Sequence, residues 1–200
     1  MFMTMLNAEL RLMLKGLSKW WYLLTLGLVI ASAFSPLDVV REYLLPFCWI
    51  VPVLLWSSMG TREIRNRTDQ IVFSSAHLFS RQLPAVWMGG VILSVLLGFG
   101  AGAQFIIRGD WLSLFAWGVA ALFIPSLALA LGVWSNSSKL FEVLYTILWY
   151  IGPINKISGA DYIGTTAKSL NAGTVTEYFF FTVVLLLLAV VGRKRQVGLR

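Results

Sequence analysis

Long apolar runs alternate with short polar segments along this chain. Five intervals without Asp, Glu, Lys or Arg approach or exceed the length of a membrane span: 20–37, 43–61, 82–107, 111–138 and 178–192. A helix rises about 1.5 Å per residue, so roughly 20 residues cross a hydrocarbon core of about 30 Å. A sixth interval, 143–155, is short and reaches that length only with residues 137–142. The pattern predicts an all-α integral membrane protein.

The distribution of basic residues indicates how often the chain crosses the membrane. With six spans and a cytoplasmic N-terminus, twelve of the sixteen Lys and Arg residues lie inside. The four outside are Arg41, Arg108, Lys156 and Lys168. With five spans the basic tail after residue 192 would move outside, against the positive-inside rule. We therefore expect six transmembrane helices, with both termini in the cytoplasm.

Residues 1–19 precede the first span and form an amphipathic pattern. At about 100° per residue, six apolar side chains fall on one arc and five polar ones on the opposite arc. The apolar set is Phe2, Leu6, Leu10, Met13, Leu14 and Leu17, and the polar set is Asn7, Arg11, Lys15, Ser18 and Lys19. This pattern favours an interfacial helix on the cytoplasmic side. The alternative, a frayed start of the first span, would not sort charge by angle.

Glycines and prolines within the predicted spans indicate how the helices pack. Gly98, Gly100 and Gly102 in the third span favour close approach of another helix. Pro52 and Pro125 favour kinks in the second and fourth spans.

Composition supports the same class of protein. Hydrophobic residues make up 58% of the 200 residues and charged residues 12%, whereas a soluble domain averages about 25% charged. The net charge of +7 does not indicate a nucleic acid partner, because the basic residues form no patch interleaved with exposed aromatics. Cys48 is the single cysteine and lies in an apolar run, which is typical of a small buried hydrophobe.

Common catalytic motifs are missing from the sequence. None of the six lysines follows a glycine, so the chain has no P-loop, and a zinc protease helix would need a second histidine besides His77. No charge falls in the middle third of a span, where ion-coupled transporters carry ionisable groups. We therefore expect no enzyme activity, cofactor or metal. Lys139 and Glu142 form either an ion pair at the start of the fifth span or a polar contact at a cytoplasmic gate.

Residues 61–83, TREIRNRTDQIVFSSAHLFSRQL, form one of the few long polar segments. Two pairs of opposite charges at i,i+4, Glu63 with Arg67 and Arg65 with Asp69, favour a helix. One side of this helix is apolar: Ile71, Val72, Phe73, Leu78, Phe79 and Leu83. A solvated loop needs no phenylalanines, so we expect this side to lie against the membrane interface or another protein.

Residues 154–176 connect the last two spans on the outside. Gly159, Gly164 and Gly173 lie there among small polar residues. Two interpretations remain open, a plain extracytoplasmic loop and a re-entrant hairpin that dips back between the spans.

Two stretches resemble a known family. GTREIRNRTDQIVFSSAHLFSRQLPAVWMGG after the second span and SNSSKLFEVLYTILWYIGPIN at the fifth look like a permease of the ABC-2 type ATP-binding cassette transporters, as do the N-terminal helix and the six spans. In that family, cytoplasmic ATPase subunits drive a dimeric permease. The resemblance therefore implies three partners: a cytoplasmic ABC ATPase subunit, a second permease copy or homologous half, and the lipid bilayer.

The resemblance also implies site residues. In the family, a coupling helix between spans two and three docks on the ATPase, and a re-entrant element often precedes the last span. These roles fall on residues 61–83, the coupling segment, and on residues 154–176. The implied coupling residues are Arg62, Glu63, Arg65, Arg67, Asp69, Phe73 and His77.

These observations lead to one hypothesis with two rivals. Residues 1–200 form a single permease domain, complete or half of a longer permease. It moves an unidentified substrate by alternating access when the partner ATPase subunits close, and the resemblance favours export. One rival is a non-transporting assembly or anchoring protein that recruits a cytoplasmic partner. The other is a membrane enzyme with an atypical site.

Overall fold

The computed structural model describes residues 2–65 and 82–198. Within these ranges helices are joined by turns and no β-strand is formed, which confirms the predicted all-α class. The α-helices are α1 (Phe2–Leu14), α2 (Lys19–Phe34), α3 (Leu37–Val39), α4 (Leu45–Ile50), α5 (Val53–Ser57), α6 (Arg62–Arg65), α7 (Leu83–Leu97), α8 (Phe99–Arg108), α9 (Trp111–Ser135), α10 (Ser138–Trp149), α11 (Ala167–Asn171) and α12 (Thr174–Gly198). Wider π-helical turns lie at Val40–Leu44 and Tyr150–Ile154, and a 3-10 turn lies at Ser158–Ala160.

Two of the described helices are long and apolar enough to cross a membrane, over Trp111–Ser135 and Thr174–Gln196. Two bent pairs, α1 with α2 and α7 with α8, raise the number to four if each pair counts as one span. The predicted intervals 43–61 and 143–155 consist of shorter helices. The chain is thus a helical protein with apolar helices suited to a membrane, and the count of six spans stays a prediction.

Helices α1 and α2 meet at a sharp corner of 106°. Gly16 at the corner has a φ of +87°, a conformation that a residue without Cβ adopts at little cost. Ser18 caps α2 by accepting a hydrogen bond from the Trp21 N–H. The Tyr22 hydroxyl donates to the Leu14 carbonyl at 2.8 Å. These contacts fix the direction in which α1 leaves the axis of α2.

The predicted second span is broken into short helices. Pro52 lies between α4 and α5 and has no N–H to continue the helical hydrogen bonds, which confirms the predicted irregularity there. Two indole N–H groups tie the pieces to α7: Trp49 donates to the Ser94 carbonyl at 3.0 Å, and Trp56 donates to the Gly90 carbonyl at 3.3 Å. The short helices of this segment are therefore stabilised by contacts with α7 as well as by their own hydrogen bonds.

Helices α7 and α8 bend by 63° at Gly98. The Trp117 indole donates to the Gly98 carbonyl at 3.0 Å. A Cβ on Gly100 would lie 2.3 Å from both Ser32 Oγ and the Val29 carbonyl oxygen, closer than heavy atoms tolerate. The predicted close packing at these glycines is confirmed, because α8 approaches α2 and α9 through them.

Helix α9 lies at the centre of the bundle. It contacts α5, α7, α8, α10 and α12, and it continues as one helix through Pro125. Against α12, the Trp134 indole donates to the Leu188 carbonyl at 2.9 Å, and the Phe123 ring meets the Tyr178 ring edge-on at 4.9 Å. These contacts show that α9 and α12 run in the same direction. Helix α10 and residues 150–173 return the chain between them.

Candidate functional site

Arg62 begins α6 at one end of the bundle, named the Arg62 end. Its guanidinium pairs with Glu9 of α1, with Nη1 3.0 Å from Oε2. Its Nε and Nη2 both donate to Ser58 Oγ, at 3.0 and 2.8 Å. The Arg62 and Glu9 side chains are 20% and 17% exposed, so salt and solvent screen them less than a surface pair. The first predicted coupling residue is therefore held to α1.

Helix α1 also lies on α7, which follows the coupling segment in the chain. A Cβ on Gly89 of α7 would lie 3.6 Å from the Met13 sulfur and 3.8 Å from Glu9 Cβ. Leu6 and Met13, from the predicted apolar arc, are buried. Arg62 precedes residues 66–81 in the sequence and Gly89 follows them, and Glu9 lies close to both. Helix α1 thus touches both flanks of that stretch.

The chain entering α6 approaches α9 with almost no side chain between the backbones. A Cβ on Gly132 of α9 would lie 2.1 Å from the Met59 carbonyl oxygen, and one on Gly60 would lie 3.2 Å from the Leu129 carbonyl oxygen. Gly60 has a φ of +74°, which other residues rarely adopt. Closely packed interiors transmit strain, so a displacement of α6 would be passed to α9.

Lys139 and Glu142 lie near the start of α10 at the Arg62 end. Lys139 Nζ is 2.7 Å from Glu142 Oε2, so the ion pair expected from their spacing is present. The Lys139 side chain is 76% exposed and that of Glu142 is 19% exposed. Helix α10 also contacts α5. The ion pair therefore lies in a helix that packs against the chain entering α6.

Two further coupling residues are among those described. Arg65 ends α6 and is exposed, and Glu63 lies within α6. Four others lie outside the described residues, namely Arg67, Asp69, Phe73 and His77. Their role stays a prediction from the sequence.

Residues 154–176 fold back against the bundle. Asp161 is fully buried, and its carboxylate accepts hydrogen bonds from the N–H groups of Gly164 and Thr165 and from the Thr165 hydroxyl, at 3.1, 2.8 and 2.8 Å. Gly164 has a φ of +72°, and a Cβ on it would lie 3.0 Å from Ala116 Cβ of α9. Three hydrogen bonds converge on this one side chain, so the turn is held tightly beside α9.

Tyr162 carries the turn into the core. Its buried ring lies 5.4 Å from the Phe123 ring and 5.9 Å from the Tyr178 ring. Its hydroxyl donates to the Tyr145 hydroxyl at 3.1 Å. Tyr145 in turn donates to the Trp49 carbonyl at 2.9 Å. Phe123 lies about 18 Å from the start of α9 at about 1.5 Å per residue, so Tyr162 packs well along the length of that helix.

Ion pairs lie at the opposite end of the bundle, named the Lys156 end. Lys156 donates to the Glu42 carboxylate, and this hydrogen bond raises the pKa of Lys156. Arg41 contacts Asp38 at 3.2 Å and Asp110 at 3.8 Å. These pairs join residues 38–42 to the start of α9 and to the chain that follows α10.

Two of the residues that sequence reasoning missed in these contacts, Glu9 and Asp161, each had a local signal. Glu9 lies three residues after Leu6 and four before Met13, and therefore on the apolar arc of α1. A carboxylate there indicates a partner, because an unpaired buried charge is costly. Asp161 begins the sequence DYIGTT, in which a glycine and two threonines after an aspartate are typical of a tight turn.

The described residues contain no group of three or more His, Cys, Asp or Glu side chains that could hold a metal ion. Comparison with known protein families, with curated proteins and with solved structures found no match. Functional conclusions therefore depend on the residues of this chain.

Proposed function

We propose that this chain is the permease subunit of an ATP-driven transporter of the ABC-2 type in the plasma membrane. Besides the resemblance of its sequence, one structural observation carries the proposal. Helix α1 touches both flanks of residues 66–81, through the Glu9–Arg62 ion pair on one side and Gly89 on the other. A segment held at both flanks is suited to receive a displacement from a cytoplasmic ATPase subunit and to pass it on.

The proposed topology has six transmembrane helices and both termini in the cytoplasm. Helix α1 is the interfacial helix, which its 106° corner with α2 supports. The spans are α2, residues 40–57, α7 with α8, α9, residues 138–154 and α12. Residues 154–176 lie outside as a re-entrant element with Tyr162 at its tip.

Cysteine labelling tests this topology. A cysteine replacing Ser75 should react with an impermeant reagent only from the cytoplasm, and one replacing the exposed Lys168 only from outside. Cys48 is buried, so its background labelling should be low. Labelling of both positions from the same side would reject the six-span arrangement.

Coupling in this proposal runs from the Arg62 end into the spans. Closure of two ATPase subunits moves the coupling segment, and the close backbones at Gly60 and Gly132 transmit the movement to α9. The contact of α5 with α10 transmits it to α10, at the end where Lys139 pairs with Glu142. Both α9 and α10 contact Tyr162, so a shift at the Arg62 end reaches the outer segment. Access then alternates across an interface with a second permease copy, and export is the proposed direction.

Co-expression with an ABC ATPase subunit of the same cell tests the function. The complex is purified through a tag on either protein, and its ATP hydrolysis is measured. We expect co-purification and a hydrolysis rate that Phe73→Ala and Arg67→Ala each lower several-fold, because docking contacts of the coupling segment are lost. Lys168→Ala removes one charge from the proposed outer side and should leave the rate unchanged.

Two results would reject the proposal. One is the absence of co-purification with any ABC ATPase subunit of that cell. The other is a set of equal hydrolysis rates in Phe73→Ala, Arg67→Ala and the Lys168→Ala control. Co-purification without any change in hydrolysis would favour an anchoring protein instead.

A further inference from the structure

A lateral groove opens where α7, α9 and α12 meet. Its volume is about 230 Å³. The lining residues are all apolar: Leu83, Pro84, Trp87, Leu129, Leu186, Ala189 and Val190. Leu129 and Ala189 are buried and form the floor, while Val190 is 36% exposed and forms part of the rim. The groove is therefore an open apolar site on the side of the bundle.

The wall formed by Trp87 is fixed in position. Its indole N–H donates to Ser126 Oγ at 2.9 Å, and the Ser126 hydroxyl donates to the Leu122 carbonyl at 2.7 Å. The single polar atom of the indole is thus satisfied inside the bundle. The ring presents its carbon atoms to the groove, as expected of a preformed site for an apolar ligand.

The surface around the groove faces hydrocarbon if the chain is embedded in a bilayer. Val183, Leu187 and Val191 of α12 are 45%, 63% and 54% exposed. No charged residue occurs between Glu177 and Arg193. Acyl chains are the molecules that surround such a surface, so an acyl chain is the occupant that the bilayer supplies.

Two cations lie one helical turn beyond the groove on the same face of α12. Arg193 follows Ala189 by four residues and Lys194 follows Val190 by four, and side chains at i,i+4 are neighbours on a helix. Arg193 is buried and donates to Gln196 Oε1 at 3.2 Å, whereas Lys194 is exposed. Basic pockets between transmembrane helices bind anionic lipid headgroups, so this end of the groove suits a negative headgroup.

We propose that the groove binds one acyl chain of an anionic phospholipid whose phosphate lies against the exposed Lys194, with the positive charge of the buried Arg193 behind it. The lipid bridges α7 and α12 across α9 and stabilises their packing. Arg195 does not take part, because its guanidinium lies over the Trp134 ring at 5.7 Å, on another face of α12. This site depends on membrane embedding and on no ATPase partner, so its failure would leave the transport proposal standing.

Native mass spectrometry of the purified chain tests the site. The protein is incubated with phosphatidylglycerol or with phosphatidylcholine of identical acyl chains, and retained lipid is counted. We expect preferential retention of phosphatidylglycerol. Lys194→Gln should lower that retention about fivefold, since one cation near an anionic headgroup contributes about that factor, and should leave phosphatidylcholine unchanged. Val190→Trp should fill the groove from its rim and lower retention of both lipids.

Arg195→Gln is the matched control, because it removes the same charge from another face of α12. It should retain phosphatidylglycerol as the unmodified chain does. Equal losses in Lys194→Gln and Arg195→Gln would reduce the effect to general electrostatic attraction and overturn the proposal. Unchanged retention in Val190→Trp would overturn it as well. Should Val190→Trp fail to elute as a folded protein in gel filtration, Leu186→Trp fills the same groove and decides the question.

Discussion

Removing either partner of the Glu9–Arg62 ion pair should loosen α1 from the flank of the coupling segment. The pair joins residues 53 positions apart in sequence, so it stabilises tertiary rather than local structure. The variants are Glu9→Ala, Arg62→Ala and the double variant. The comparison pair is Lys139–Glu142, which spans three residues within α10 and whose lysine is 76% exposed.

The geometry sets the expected magnitudes. Two unit charges 3.0 Å apart attract each other by about 5.5 kcal/mol at an effective dielectric constant of about 20. Desolvation offsets most of this, and a hydrogen bond to a charged group contributes about 1.5–3 kcal/mol net. We therefore expect a coupling energy of about 1.5–3 kcal/mol for Glu9 with Arg62. For Lys139 with Glu142 we expect about 0.2–0.5 kcal/mol, as for exposed pairs on one helix.

A double-mutant cycle measures both values. Unfolding by SDS in mixed micelles, followed by circular dichroism, gives the free energy of each variant. Both Glu9 and Arg62 have further interactions, and the cycle separates the pair from them. The exchange variant, Glu9→Arg with Arg62→Glu, should recover part of the lost stability. A Glu9–Arg62 coupling energy below about 0.5 kcal/mol, no larger than that of the comparison pair, would show that this ion pair does not hold α1 in place.

Three further predictions concern the core and the returning segment, and the same unfolding measurement checks each. Tyr145→Phe should destabilise the protein by about 1–3 kcal/mol, because it leaves the buried Tyr162 hydroxyl without an acceptor. Tyr162→Phe should cost only about 0.5–1.5 kcal/mol, since the Tyr145 hydroxyl keeps its carbonyl acceptor. Equal costs would contradict the order in which Tyr162 donates to Tyr145 and Tyr145 to the carbonyl. Gly132→Ala should destabilise the protein by about 1–3 kcal/mol, because its Cβ would lie 2.1 Å from a carbonyl oxygen. Gly118→Ala is the control in the same helix: its Cβ meets nothing within 4 Å, so it should be neutral or stabilising. A larger loss of stability in Gly118→Ala than in Gly132→Ala would contradict the packing. Asp161→Ala should cost about 1–3 kcal/mol for each buried donor left unpaired, and it should expose residues 157–166 to protease. Protease resistance equal to that of the unmodified chain would contradict the role of Asp161 in the turn.

The long helices were predictable because each contains one long apolar run without charged residues. Helices α9 and α12 fall within or across the predicted intervals 111–138 and 178–192, and the break at Pro52 follows from its missing N–H. The 63° bend at Gly98 was not predicted, because the Trp117 side chain that donates to the Gly98 carbonyl comes from another helix, α9. A local pattern shows where a glycine permits close approach, but not which neighbour approaches.

The candidate site was predictable in part for a similar reason. The family resemblance of residues 61–83 pointed to Arg62, but its partner Glu9 lies in another helix, and no local periodicity links the two. Tyr162 was not singled out, since an aromatic residue in a polar connection has no periodic signal. Its burial depends on the space between α9, α10 and α12, which forms only when the helices pack.

Site-specific crosslinking tests the proposed docking of an ATPase subunit on the coupling segment. A photo-crosslinking amino acid replaces Phe73, or Lys168 as the control, and the complex is irradiated with and without a non-hydrolysable ATP analogue. We expect a crosslink from position 73 to the ATPase subunit, with a yield that changes with nucleotide, and no crosslink from position 168. A crosslink from position 168, or none from position 73 in a complex that co-purifies, would contradict it.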